Sequence, residues 1–129
     1  MPNFYPKVCN ICRGEVNYVA DKNKDVIEDY NGSGYMYVCS KCGAYIGTHS
    51  RNPKKARGIL ADEEMNKLKR DCHSLVDSMW KTHRERKFLY MMLAEELGIK
   101  QKECHFSYFN KKTLKKCKKI LEKWSKERK

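Results

Sequence analysis

The sequence predicts a small α+β fold in which short antiparallel strands gather around four cysteines and about three helices follow. Three observations carry this reading. Two Cys-x-x-Cys pairs, Cys9/Cys12 and Cys39/Cys42, are separated by 26 residues. The text around them alternates polar and apolar with period two, and beyond residue 60 apolar side chains return every three or four positions. At 129 residues there is room for one domain, or one plus a small module, which excludes a large multidomain enzyme. The expected division is a ribbon and connector over 1–58 and a helical region over 59–129.

Residues 15–19 alternate polar and apolar with period two, and 35–38 and 44–46 are short β-prone runs rich in aromatics. Between them, 21–34 is polar and closes on Asn31-Gly32-Ser33-Gly34, as a surface loop or loose hairpin end would. Pro53, Gly58 and the charges of 50–58 read as a connector. Asp62, Glu63 and Glu64 suit a helix N-terminus, and Met65, Leu68, Cys72, Leu75, Val76 and Met79 form the stripe of a first helix running to about Lys81. The segment 86–97 is apolar almost all round, so burial is expected, with Gly98 as its C-terminal cap. Asn110 is the N-cap expected for a third helix with stripe Leu114, Cys117, Ile120, Leu121 and Trp124. Its opposite arc carries Lys111, Lys112, Lys115, Lys116, Lys118, Lys119 and Lys123.

The charge is localised. Residues 1–60 carry a net +4, 61–110 a net 0 and 111–129 a net +8 of the total +12. Such a patch suits phosphate or an acidic protein, although a charge run can also be no more than a solvated face. No run of about 18 apolar residues occurs, and Met1-Pro2-Asn3-Phe4-Tyr5-Pro6 lacks the build of a signal peptide. A cytoplasmic protein with no membrane contact is expected. In that reducing compartment seven cysteines, an odd number, argue for metal over disulfides.

Two thiolates on one tight turn can share a tetrahedral ion, and a second such turn completes four-thiolate coordination. Cys9, Cys12, Cys39 and Cys42 are therefore the expected ligands of one structural Zn2+ in a zinc ribbon, with Gly14 and Gly43 letting the chain bend around the sulfurs. The competing readings are four free buried cysteines and a redox dithiol, and the latter would want a βαβ context that neither pair has. Cys72 and Cys117 fall on apolar stripes and read as core residues. His49, His73, Asp77 and His105 form a possible second polar site, since a histidine held by a carboxylate can act as a base. His73 and Asp77, spaced i, i+4, can equally be a satisfied structural pair.

Taken together the residues resemble the zinc-finger-containing protein family of unknown function found in bacteria and phages. The match runs from the two Cys-x-x-Cys pairs through Ala44-Tyr45-Ile46-Gly47-Thr48-His49, Gly58-Ile59-Leu60-Ala61-Asp62, His73, Asp77, Trp80, Arg86, Tyr90, Leu93 and Leu97-Gly98-Ile99 to Cys104-His105 and Phe109. Members often have proline where this chain has Asn10-Ile11 and Ser78, and the lysine-rich end beyond Phe109 is unusual among them. The resemblance implies zinc on the four cysteines and a helical companion region, in the host cytoplasm if the chain is phage-encoded. It implies no activity.

Three functions remain open. The first is a nucleic-acid-binding module, for DNA or RNA, contacting the phosphate backbone through the basic C-terminal helix. It would use Arg51, Lys54, Lys55, Arg57, Lys112, Lys115, Lys116, Lys119 and Lys123, beside surface aromatics Tyr35, Tyr37 and Tyr45. The second is an interaction module for an acidic host, replication or transcription protein. The third is a metal-dependent hydrolase using His49, His73, Asp77 and His105.

Overall fold

A computed structural model of the chain describes residues 2–21 and 33–127. These form two compact units, Met1–Glu63 and Glu64–Lys129. Most of the expected loop over 21–34 lies outside the described residues; at its ends, the Asp21 N–H donates to the Gly34 carbonyl at 2.8 Å.

The first unit is a four-stranded antiparallel sheet, β1 (Val16–Ala20), β2 (Tyr35–Cys39), β3 (Tyr45–His49) and β4 (Asn52–Ala56), in that spatial order. β4 corrects the connector expected over 50–58. Pro53 argues against a central strand because it has no N–H to donate, but β4 is an edge strand paired on one side, where proline is tolerated. Side chains from β1 and β2, which do not pair with it, help hold it: the Tyr18 hydroxyl donates to the Pro53 carbonyl at 2.7 Å and the Tyr37 hydroxyl to that of Lys54. Tyr37 is therefore buried, which corrects its expected place among the surface aromatics, whereas Tyr35 and Tyr45 stay exposed.

The core of this unit is small. Cys9, Cys39, Tyr37, Ala44, Ile46, Ala56 and Leu60 are buried together, with Cys12 and Val16 packed against them, so two of the four cysteines belong to this core. Beyond β4 the chain returns to the sheet. The Asn10 amide both donates to the Leu60 carbonyl at 3.0 Å and accepts from the Leu60 N–H at 2.9 Å, and Ala61 exchanges both backbone hydrogen bonds with Tyr45.

The second unit comprises α1 (Glu63–Asp77), α2 (His83–Leu97), two short 3-10 turns (Gln101–Glu103 and Phe106–Tyr108) and α3 (Lys111–Glu127). The α+β class and the three helices are as expected. Met65, Leu68, Cys72 and Val76 are the buried residues of α1, and Leu114, Cys117 and Leu121 those of α3. α1 and α3 run side by side in the same sense: Glu64 pairs with Lys111 and Lys115 at 3.1 and 3.3 Å, and one seven-residue step further Asp71 pairs with Lys118 at 3.1 Å.

Local chemistry sets the helix ends. The Thr82 hydroxyl accepts from the Glu85 N–H at 3.2 Å, Gly98 takes a left-handed φ of 70°, and Asn110 Oδ1 accepts from the Thr113 N–H at 2.9 Å. α2 departs from the all-round burial expected of it. Leu89, Leu93 and Ala94 are buried, while Phe88 and Met91 are 53% and 44% exposed, so its apolar surface is only partly used. Leu114→Ala, which empties a fully buried position, should cost about 2–5 kcal/mol. Urea denaturation followed by helical circular dichroism checks this, and zinc content should stay unchanged.

Candidate metal centre

The two Cys-x-x-Cys turns are built alike. In the first, the Cys9 N–H donates to Gly14 O at 2.8 Å and the Arg13 N–H to Cys9 O at 3.0 Å; in the second, the Cys39 N–H donates to Ala44 O at 2.8 Å and the Gly43 N–H to Cys39 O at 3.1 Å. Each closes on a left-handed residue directly after its second cysteine, Arg13 at φ 68° and Gly43 at φ 79°. Glycine reaches that region freely, whereas arginine is held there at a cost of about 1 kcal/mol. Gly14, expected to bend the chain as Gly43 does, serves differently. A Cβ at Gly14 would stand 2.9 Å from Cys39 Sγ and 2.8 Å from Lys41 Cβ, so the absence of a side chain lets the first turn close onto the second.

The four sulfurs of Cys9, Cys12, Cys39 and Cys42 lie within 4.8 Å of one another and form a possible metal site. Cys9 and Cys42 Sγ are 3.7 Å apart, and Cys12 and Cys39 Sγ 3.4 Å. A tetrahedron with Zn–S bonds of about 2.3 Å has edges of about 3.8 Å, so the donor set fits zinc. Backbone donors support the charge of the sulfurs: Ile11 N–H to Cys9, Gly14 N–H to Cys12, and both Lys41 and Cys42 N–H to Cys39, each at 3.4 Å.

Those donors act unevenly. The Cys42 N–H, with that of Lys41, brings the Cys39 thiol down to about 6. Cys42 accepts from Ala44, which lowers it, but desolvation and the sulfurs of Cys12, Cys39 and Cys9 outweigh this and push it up to about 12. A cluster that readily holds one negative charge thus resists further ones until a cation offsets their repulsion. Four protein ligands leave no open position, so a bound ion supplies cohesion rather than water activation.

Of the other candidate residues, His73 and His105 come to one cleft, and among the described residues none of His49, His73, Asp77 and His105 joins a group close enough to share an ion. His49 lies on β3, where burial, then the charges of Lys55 and Arg57, push its pKa down. His73 on α1 and His105 before the second 3-10 turn line one cleft of the second unit, and desolvation lowers His73. The Asp77 carboxylate accepts the Trp80 indole N–H at 3.0 Å. Among the described residues, the four cysteines are the group of three or more His, Cys, Asp or Glu close enough to share an ion. Cys72, Cys104 and Cys117 are buried thiols pushed up by desolvation, to about 11, 11 and 12.

Arg51 lies between β3 and β4, Lys54 and Lys55 on β4, and Arg57 directly after it. Lys55 sits over the Phe4 ring at 4.7 Å, and the Arg57 Nε–H donates to the Thr48 carbonyl at 3.1 Å. On α3, Lys111, Lys115 and Lys118 reach the carboxylates of α1, while Lys112, Lys116, Lys119, Lys123 and Lys126 are exposed. Sequence reading missed that Arg86, Lys87 and Tyr90 share the cleft of His73 and His105. The i, i+4 spacing of Arg86 and Tyr90 on one helix is the signal that points to it.

A family model described as a zinc-finger-containing domain matches residues 5–124, bearing out the resemblance read from the residues. No curated protein and no solved structure matches the chain. Among the described residues, no helix is long and apolar enough to cross a membrane.

Purified protein is expected to hold one zinc per chain by elemental analysis, and Cys39→Ser to lose it. Retention should fall as pH falls, because protons compete for the thiolates. Gly14→Ala should weaken zinc in chelator competition, whereas Gly47→Ala, whose added Cβ meets nothing within 4 Å, should leave it unchanged.

Proposed function

We propose that this chain, which belongs to the family of zinc-finger-containing domains, is a nucleic-acid-binding module. In this reading one structural zinc holds the ribbon, and α3 meets the phosphate backbone. The observation that carries it is the lysine strip. At 100° per residue, Lys112, Lys116, Lys119, Lys123 and Lys126 fall within an arc of about 80°, centred opposite the buried Leu114, Cys117 and Leu121. The strip runs about 21 Å along the helix at a rise of 1.5 Å per residue. Its charges alternate four and three residues apart, a straight row suited to an extended polyanion. Lys111, Lys115 and Lys118 flank it beside Glu64 and Asp71, so repulsion is relieved on that flank while the strip keeps its charge. Arg51 and Lys54, both exposed at the edge of the sheet, add a second basic surface on the ribbon.

Lysines touching phosphate supply affinity without reading bases. A second reading, binding to an acidic protein, draws on Phe88 and Met91, which stand exposed one turn apart on α2. Titrations of duplex and single-stranded oligonucleotides over a range of salt separate the two. Contact through about five phosphates should give a slope of log K on log salt near roughly −4.5 for duplex. Each Lys→Gln change at 112, 116, 119 or 123 should reduce that slope by about 1. A flat salt dependence would overturn the reading, and partners that survive nuclease treatment in a pull-down would favour the protein alternative.

A further inference from the structure

A cleft of about 230 Å³ opens in the second unit where α1 and α2 meet the two 3-10 turns. Its wall carries His73, Arg86, Lys87 and His105 and no carboxylate, although the charge of Asp77, outside the wall, reaches His73 and Tyr90. Among the described residues, none of these four enters an ion pair. Aromatic rings position three of them instead. His73 meets the buried Phe106 edge-on at 4.8 Å, the Arg86 guanidinium lies 5.0 Å over the Tyr90 ring, and His105 is 4.6 Å from the Tyr108 ring. Tyr90 in turn packs on Phe106 at 5.8 Å.

This difference in partners has a chemical consequence. An acidic partner would consume the N–H groups of a basic side chain, whereas the Tyr90 ring holds the Arg86 guanidinium mainly through its face; the Tyr90 hydroxyl engages one donor and the others stay available. The result is a concave, positively charged surface whose donors are oriented before any ligand arrives, the condition under which an anion is bound at least entropic cost. Arginine's planar fork matches two oxygens of a tetrahedral anion, and Lys87 supplies a further charge. The cleft is also larger than one anion needs. At roughly 30 Å³ per water molecule, about 230 Å³ accommodates a phosphate together with part of the group it esterifies.

We propose that this cleft binds a phosphate monoester, with Arg86 and Lys87 taking the phosphate oxygens and His73 and His105 completing the donor set. The ligand is either a free nucleotide or the terminal phosphate of a nucleic-acid strand, which share this chemistry. The site stands independently of backbone binding by α3, since internal phosphates of a strand are diesters that the lysine strip meets without a pocket.

The chain contains four histidines, two in the cleft and two outside it, so it carries its own reporters and controls. The zinc-loaded full chain is titrated with inorganic phosphate and then AMP at constant pH and ionic strength, following the imidazole signals by NMR. Saturable shifts at His73 and His105, with His49 and His83 still, are expected. Arg86→Gln, at an exposed position, should weaken the response at least tenfold while leaving the His49 signal in place. No shift at His73 and His105, parallel shifts of all four histidines, or an unchanged response in Arg86→Gln would overturn the proposal. A 5′-phosphorylated oligonucleotide that moves both reporters more tightly than AMP assigns the strand end, and the reverse order assigns the free nucleotide. An otherwise identical 5′-hydroxyl strand should leave them still, and equal shifts from both strands would count against the site.

Discussion

Four thiols within 4.8 Å of one another cannot all ionise without a counter-charge, and the first unit is arranged around that conflict. Cys9 and Cys39 lie in its small core, so side chains that would repel are also part of its packing. A four-stranded sheet of five-residue strands buries too little to fold comfortably alone, and structural zinc contributes an apparent binding free energy of about 10–16 kcal/mol in small finger peptides. An ion held by the four cysteines would do for this unit what the packed stripes of Leu68, Val76, Leu114 and Leu121 do for the other. With zinc bound, two units of similar length would reach stability by different physics.

The electrostatics of the second unit divide along similar lines. On one flank of α3 lysines lie beside Glu64 and Asp71, and those carboxylates offset the repulsion of so many like charges on one helix. Exposed pairs of this kind contribute little each, about 0–1 kcal/mol. Their effect is organisational, since they leave the uncompensated charge as a single row instead of a diffuse belt. In the cleft the Arg86 guanidinium leans on the Tyr90 ring, a different way of holding a cation in place without neutralising it.

Much of this was readable from the residues, for identifiable reasons. Cysteine spacing is a direct geometric signal, and helix stripes and caps such as Asn110 and Gly98 act over three or four residues. What escaped depended on partners distant in sequence. β4 is held by hydroxyls of Tyr18 and Tyr37, which no local pattern around Pro53 announces. The same contact buries Tyr37. Arg13 takes the left-handed place that composition would assign to glycine, while Gly14 is required for its closeness to a sulfur 25 residues further along. The cleft joins residues from 73 to 107, so it exists only after the helices have packed.

The matched construction of the two cysteine turns bears on how the site can assemble and vary. Each turn is bent by its own short-range hydrogen bonds, so each presents a two-sulfur half-site before the other arrives. Ion capture then divides into a local step and a closure step, and only the second depends on the 26 residues between Cys12 and Cys39. Closure entropy grows slowly, by about 0.6 kcal/mol for each doubling of the loop, which is small beside the ion's contribution. Within the stretch between the half-sites, the residues joining β1 to β2 are therefore where length can drift at little thermodynamic cost, while the turns and the paired strands are held to their count.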